Sequence, residues 1–386
     1  MATSNKFLQT FRHLTRATGS GSLKTLVLRV TRPIVSGPMN GWSGPSLVAA
    51  VANHGGMPIY PIGYYTDPAK ILQELKNTAT LIHDVDPPTT PNNTDFLPYA
   101  VGFITFWLER QGPELLLAIL RGEGDTSSSH KRPPAAYWFS FGDYRPYLAL
   151  VREHGRPGSK VIVQVNTVQE AVEAQNDKVD VIVVQGTEAG GHGAQKVSPL
   201  MTLLPEVVHA LHENKTSSSQ TLPAVLAAGG ISTAAQFKAV ESMGASGVVI
   251  GTGFMPTDES PGPQRAKDRL LKTLDGGVNT VRTRIFDDLR EFDWPEGYDG
   301  RVLRNLVTER EAKYEQAHGP VFNKGAASFK LLKEDHSGEK ADWVKATAEQ
   351  DYDLLPLWSG TGVGLLKKQM SAAAFMDLLL DEDKKQ

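Results

Sequence analysis

In residues 185–192, with the sequence QGTEAGGH, a histidine directly follows a glycine pair. The run before them, VDVIVV at 179–184, is rich in β-branched residues and predicts a buried strand. Glycine lets the backbone approach a ligand closely, and the imidazole of His192 has an ordinary pKa of ~6.5. The spacing therefore indicates either a histidine that binds or catalyses at a strand end, or an ordinary loop histidine.

Two later segments repeat this strand-then-glycine pattern. Residues 222–228 lead into GGI at 229–231, and residues 247–250 lead into GTG at 251–253. Glycines leave the backbone N–H groups unobstructed, and Ser232 is a predicted N-cap whose helix adds a positive dipole end. Adjacent loops of this kind, late in an α/β chain, are where (β/α)8 barrels usually bind a phosphate.

Short apolar segments alternate with helix signals along the chain. A capping box at Thr167 and Glu170 opens one predicted helix, and Asp67 precedes another. Eight segments are predicted strands, at residues 33–37, 56–60, 98–103, 135–140, 160–165, 179–184, 223–227 and 248–250. Such alternation implies parallel pairing through right-handed crossovers, and eight units favour closure. The predicted fold is an α/β protein with a (β/α)8 TIM barrel, and an open doubly wound sheet is the alternative.

The composition limits the chemistry. The 386 residues are 40% hydrophobic and 22% charged, enough for one large core or two modest ones. A formal net charge of −3 without a basic stripe argues against nucleic acid as a partner. The absence of cysteine excludes disulfides, thiolate catalysis, iron–sulfur clusters and cysteine-type zinc sites. No apolar run approaches the ~20 residues that span a bilayer, so no membrane association is expected.

Three regions are expected along the chain: an N-terminal arm at 1–30, the barrel at 31–275 and a helical extension at 276–386 that caps the barrel mouth. The first acidic residue is Asp67, and the Ser-, Thr- and Arg-rich start resembles a mitochondrial transit peptide. The alternative is a helix or arm ahead of the first strand. We therefore expect a cytoplasmic protein, with mitochondrial location as the alternative. Helices are predicted after the eighth strand at 265–275, 301–317, 326–332 and 371–383.

Other candidate groups are weaker. His209 and His212 have helical i, i+3 spacing beside Glu213, but no third ligand follows at a recognisable spacing, so no metal site is expected. Aromatic residues at 138–141 either wall a pocket or pack in the core. Glu188 is expected to brace the glycine turn before His192.

Four motifs, each at the end of a predicted strand, resemble the nitronate monooxygenase family, formerly called 2-nitropropane dioxygenases. They are SGPMNG at 36–41, QGTEAGGH at 185–192, AAGGI at 227–231 and GTGF at 251–254, the last followed by Thr257, Glu259 and Ser260. The resemblance covers residues 31–260, with a glycine-rich echo, WSGTGVG, at 358–364. It implies a TIM-barrel flavoprotein that carries FMN without a covalent link.

The resemblance also implies roles for single residues. His192 corresponds to the active-site histidine. Met39 and Asn40 would present backbone to the flavin ring, and Gly230 with residues 249–252 would hold its phosphate. The full set of implied cofactor contacts is Met39, Asn40, Gly102, Gln185, Gly190, Gly191, Gly229, Gly230, Val249, Ile250, Gly251 and Thr252.

Two positions depart from the family pattern. The third strand usually ends in an asparagine that contacts FMN, and the nearest match here is Gly102. After the histidine an Arg-Gly pair is common, whereas this chain has only Gly193. The first departure bears on a cofactor contact and the second on substrate choice.

The implied reaction is oxidation of alkyl nitronates, and of nitroalkanes, by O2. His192 would either remove the α-proton of a nitroalkane or orient the nitronate anion. An NAD(P)H-dependent flavin reductase of quinones or enoyl thioesters is the alternative, because relatives with the same barrel do that work. The expected partners are a small-molecule substrate and O2, in a chain that forms either a monomer or a homodimer.

Overall fold

The computed structural model describes most of the chain. The described residues are 4–12, 14–17, 23–26, 30–82, 96–125, 132–217, 221–290, 292–318 and 345–381. Within these residues, no helix is both long enough and apolar enough to cross a membrane.

Eight parallel strands close into a barrel, which confirms the predicted fold class. The last strand pairs with the first, Val248 opposite Ile34, so the sheet has no edge. All eight predicted strands are present. Their observed bounds are β1 (Ile34–Ser36), β2 (Met57–Pro61), β3 (Leu97–Ile104), β4 (Pro134–Ser140), β5 (Lys160–Val165), β6 (Val181–Gln185), β7 (Ala224–Ala228) and β8 (Gly247–Ile250).

Alternate residues of each strand face two different apolar layers. Val249 and Trp138 belong to the cluster that fills the barrel interior. Their neighbours Val248, Ile250 and Phe139 pack in the outer layer against the helices. Because both faces of a parallel barrel strand are buried, the strands are continuous apolar runs rather than alternating ones.

Helices surround the barrel between the strands. Thr167 and Glu170 form the predicted capping box, and the Asp67 side chain accepts two backbone N–H groups at its helix start. The predicted N-cap Ser232 is wrong by one residue, because Thr233 caps the helix and Ser232 Oγ instead donates to the Gly362 carbonyl. The helix bounds are Pro45–Asn53, Pro68–Leu81, Thr105–Gln111, Glu114–Leu120, Arg145–His154, Val168–Asn176, Leu200–Glu213, Ala234–Ser242 and Gln264–Lys272.

The extension covers the carboxyl ends of the strands with a sheet as well as helices. Gly191–Ala194, Tyr298–Leu303 and Thr280–Thr283 form an antiparallel three-stranded sheet, here called the cap sheet. A helical cap was expected, and residues 301–303 are strand instead, because they pair with residues 280–282, and Arg301 also pairs with Gly191 after β6. The helix predicted at 326–332 lies outside the described residues. The other elements are helices Gly276–Asn279, Ile285–Leu289, Leu306–His318, 345–349 and Ala372–Leu380 and the short 3-10 helices Thr252–Phe254 and Thr361–Leu365.

An N-terminal helix, Ser4–Arg12, packs at the amino ends of the strands. Its Phe7 is fully buried in the interior cluster with Phe96 and Ala135, and Leu8 joins them. Two further strands, Leu14–Ala17 and Leu23–Leu26, pair as a hairpin. Burial of Phe7 favours a structural role for this arm, and targeting by the arm stays a prediction.

Helix Leu306–His318 buries one carboxyl group against the cap sheet. The Thr283 hydroxyl lies 2.7 and 2.8 Å from the two carboxyl oxygens of Glu311. Burial raises the pKa of Glu311 to about 7 from an ordinary 4.5, against the opposing effect of the Thr283 hydrogen bond. A raised carboxyl pKa contributes stability that is complete below pH 4.5 and is lost as pH rises through 7. We expect the unfolding free energy to fall by about 3 kcal/mol across that window from this group.

Urea unfolding at a series of pH values tests this expectation. Glu311→Gln should flatten the pH dependence, since the amide keeps the acceptor and cannot ionise. Glu309→Gln is the matched control, because Glu309 lies exposed on the same helix. If both variants follow the wild-type profile, Glu311 does not titrate in this range.

Candidate functional site

A cavity of about 240 Å³ lies between the carboxyl ends of the barrel strands and the cap. Every site residue implied by the sequence lines this cavity except Ile250. The Ile250 side chain is 1% exposed and lies in the outer layer, because strand alternation points Val249 inward and Ile250 outward. Ile250 can therefore contribute backbone alone, and its carbonyl already accepts the Gly37 N–H.

One end of the cavity has several free backbone donors. Gly230, with φ +70°, follows β7, and Gly251 and Thr252 follow the neighbouring strand β8. Among the described residues, no acceptor receives the backbone N–H groups of Gly230, Ile231, Gly251 or Thr252. Converging N–H groups beside a helix start are the arrangement that binds phosphate.

A glycine-rich segment from the extension, residues 358–364, packs onto these loops and is here called the glycine strap. Its Gly360 N–H donates to Thr252 Oγ1 at 2.9 Å. A Cβ on Gly362 would lie 2.4 Å from the Gly230 carbonyl oxygen, so only glycine permits this approach. The glycine-rich echo in the sequence is therefore a packing partner of the loops after β7 and β8.

His192 lines the same cavity and lies on the first strand of the cap sheet, paired with Gly300. Its Nε2 is 2.9 Å from both carboxylate oxygens of Asp287. The imidazole stacks on Trp294 at 3.8 Å between ring centroids with 4° between the planes. Trp358 lies on its other side at 4.8 Å. A loop position was expected for His192, and the strand makes its placement considerably more rigid.

The electrostatic setting of His192 is mixed. Burial lowers the pKa of His192 below its ordinary value of 6.5, while the hydrogen bond and the charge of Asp287 act in the opposite direction. Arg290 reinforces the lowering and donates to Asp287 Oδ1 at 3.0 Å. The net lowering of the His192 pKa favours the neutral imidazole.

The turn that leads from β6 to His192 is fixed by polar contacts. Glu188 accepts the Leu200 backbone N–H at 2.9 and 3.0 Å, so it braces the turn as predicted. Arg282 and Arg301 both donate to the Thr187 carbonyl. These contacts fix the turn that carries the glycine pair at 190–191.

Aromatic residues form part of the cavity wall. Trp138 and Phe141 line the cavity, whereas Phe139 faces the outer layer. Phe141 has φ +64°, a costly backbone conformation for a bulky residue, and its ring contacts Trp294 edge-on at 5.1 Å. The buried Trp138 Nε1 has no hydrogen-bond partner among the described residues. It is therefore an unused donor at the cavity floor.

Sequence patterns did not reveal several residues of the site. Arg290 and Trp294, which line the cavity, and Asp287, which contacts His192, come from the extension, where no strand-then-glycine pattern marks them. A buried acidic residue in an apolar helix start, FDD at 286–288, was the available signal. His209 lies away from this site and pairs with Glu213 at 3.3 Å on an exposed helix face.

Comparison with known proteins identifies relatives along nearly the whole chain. The nitronate monooxygenase family model matches residues 22–382. The nitronate monooxygenase of Neurospora crassa is 28% identical over 367 residues, covering 91% of this chain and 89% of the relative. The nitronate monooxygenase npaC of Metarhizium robertsii is 32% identical over 281 residues, covering 70% and 72%.

Solved structures share the architecture. A nitroalkane oxidase from Streptomyces ansochromogenes superposes with a TM-score of 0.62 at 25% identity, covering 91% of this chain and 95% of that one. FabK from Thermotoga maritima superposes with a TM-score of 0.67 at 22% identity, covering 92% and 93%, and shares the fold.

A closed parallel barrel, with unpartnered N–H groups after β7 and β8 and a histidine at the mouth, defines a class of enzyme. Together with these relatives, it makes the protein a flavin-dependent oxidoreductase built on a (β/α)8 barrel. Within that class, the chain belongs to the nitronate monooxygenase family.

Proposed function

We propose that this chain catalyses the FMN-dependent oxidation of alkyl nitronates, and of nitroalkanes, by O2. The observation that carries the proposal is a single cavity lined both by His192 and by the loops whose backbone donors have no partner among the described residues. The names of the relatives, which include nitronate monooxygenases and a nitroalkane oxidase, support the substrate class.

The residues present fit FMN. Two adjacent loops offer N–H groups for one terminal phosphate, and a side chain at Gly230 would fill the space beside Glu188 and Thr361. The unpartnered Trp138 Nε1 is a donor suited to the polar edge of a flavin ring. When bound, FMN supplies the electron-accepting ring and the reaction with O2.

The protein's own part in the reaction is placement and proton handling. His192 contacts the substrate next to the ring site and either accepts its α-proton or orients the anion. Trp294, Trp358 and Phe141 line the cavity beside His192, and their apolar rings would limit the access of water there. Met39, Asn40, Gly102 and Gln185 line the cavity between the two ends and would contact the ring.

The purified protein tests both cofactor and reaction. Heat or acid should release intact FMN, one per chain, for identification by mass spectrometry; FAD as the released cofactor would contradict the proposal. Anaerobic stopped-flow mixing with ethyl nitronate should bleach the flavin absorbance within the turnover time. Rapid bleaching by NADPH with none by ethyl nitronate would instead assign the reductase activity.

A further inference from the structure

The carboxylate of Asp287 decides where His192 carries its proton. This carboxylate is fully buried, with 0% of its side chain exposed, and Arg290 donates to one of its oxygens. An ionised carboxylate accepts hydrogen bonds and donates none. Since His192 Nε2 lies 2.9 Å from both oxygens, Nε2 must be the protonated nitrogen.

We propose that Asp287 is a positioning residue that fixes the His192 proton on Nε2 and so presents Nδ1 as the proton acceptor of the cavity. The inference rests on the proposed function and deepens it, since it selects the base over the anion-orienting group. An unprotonated Nδ1 offers a lone pair, which suits the α-proton of a neutral nitroalkane and not the oxygens of an anion.

Nδ1 of His192 is free to act in this way. It has no hydrogen-bond partner among the described residues, and the side chain is 11% exposed. Some polar atoms, such as Trp138 Nε1 and Ser36 Oγ, have neither a partner nor contact with solvent. His192 Nδ1 is not one of these atoms. The open edge of the ring therefore faces the cavity that His192 lines.

Two contacts together determine the orientation of the imidazole. Stacking on Trp294 fixes the plane of the ring, and the Asp287 bond fixes which edge is turned away from the cavity. Trp294 is itself held, because Arg284 donates to its carbonyl at 2.8 Å and its indole N–H donates to the Tyr64 hydroxyl. The acceptor nitrogen is thus placed before substrate binds.

The proton transfer balances within these groups. The Cα–H bond of the nitroalkane breaks, its electron pair forms the C=N bond of the nitronate, and the proton forms an N–H bond at Nδ1. The product pair is a nitronate anion and an imidazolium, and Asp287 stabilises the imidazolium charge through Nε2–H. The nitronate that results is the species proposed for oxidation.

The other charged groups around His192 set the pH at which it acts. Asp287 and Asp299 raise its pKa, and Arg290 lowers it. Tyr64 stays neutral over the pH range in which His192 titrates, since burial raises the pKa of Tyr64 well above its ordinary value. Without the Asp287 charge, only Asp299 still raises the pKa of His192, while burial and Arg290 continue to lower it. The pKa of His192 should therefore fall further in a variant that lacks this charge.

The first measurement needs neither substrate nor cofactor turnover. Long-range ¹H–¹⁵N spectra of the wild-type protein, with His192→Asn for assignment, report which ring nitrogen is protonated. We expect Nε2–H and a bare Nδ1 in the wild type. An Nδ1–H tautomer there would overturn the inference, whatever the variants do and whether or not nitronates are substrates.

The second measurement compares Asp287→Asn with Glu311→Gln, which removes a buried carboxylate of the cap that does not contact His192. Asp287→Asn should mix the tautomers, move the acidic limb of the kcat/KM profile for nitroethane to lower pH, and reduce kcat for nitroethane by roughly 10²-fold or more. Ethyl nitronate oxidation should change several-fold at most, and Glu311→Gln should leave the tautomer, the limb and both rates unchanged. Equal losses on nitroethane and ethyl nitronate, or an unmoved tautomer, would contradict a positioning role. Wild-type protein inactive on both compounds would reject the proposed function alone.

Discussion

His192→Asn should lower turnover of neutral nitroalkanes by about 10²–10⁴-fold, the usual contribution of one general base. Asparagine has no nitrogen that can accept a proton, so the Cα–H bond of the substrate must break without the Nδ1 acceptor. Preformed nitronates need no proton removal, and their oxidation should fall much less. Steady-state O2 consumption with nitroethane and with ethyl nitronate, at equal flavin content, measures the two losses separately.

The structure adds one expectation about this variant. His192 lies on a cap-sheet strand and forms a hydrogen bond with the buried carboxylate of Asp287. Replacing His192 should therefore also reduce the melting temperature, while FMN is retained. Glu311→Gln is the control for a change in the cap that does not contact His192. Equal losses on both substrates would mean that His192 orients or neutralises the anion, and full activity on nitroethane would falsify its assignment as the base.

Gly230→Asp should abolish retention of FMN. The residue has φ +70°, and an added Cβ would lie 3.1 Å from Glu188 Cβ and 3.3 Å from Thr361 Oγ1, at the loop with the free N–H groups. A carboxylate there would face the phosphate. Two unit charges 4 Å apart at the protein surface repel by about 4 kcal/mol, which is roughly a 10³-fold loss in affinity. Flavin absorbance after gel filtration and titration of the apoprotein with FMN measure the loss.

Gly230→Asn separates the effect of charge from that of size, because the asparagine side chain has nearly the same shape as that of aspartate and must adopt the same left-handed backbone at position 230. It should weaken FMN binding by far less than Gly230→Asp. Gly297→Asp is the second control, since Gly297 has φ +89° with nothing within 4 Å of its added Cβ and lies away from the phosphate loops. Equal flavin content in Gly230→Asp and wild type would show that the phosphate binds elsewhere.

The sequence predicted the parts of this fold that depend on local patterns. The eight strands were recognisable as short β-branched runs because both faces of a barrel strand are buried. Glycine turns after β6, β7 and β8 were recognisable because a positive φ, or a close approach of two backbones, selects glycine locally. The cap was harder, since the strand Tyr298–Leu303 is polar in part and pairs with a segment about a hundred residues earlier.

The sequence by itself therefore determined the barrel, the loops suited to phosphate and the histidine after β6, each of which has a short-range signature. Only the tertiary structure decided what surrounds that histidine. Asp287 lies 95 residues from His192 in sequence and reaches it because the cap sheet brings helix Ile285–Leu289 over the barrel mouth. The orientation of the His192 ring depends on that contact and on the stacking of Trp294. Strands that are distant in sequence pair to bring Asp287 to His192, and no spacing along the chain marks such a contact, so only the folded structure reveals it.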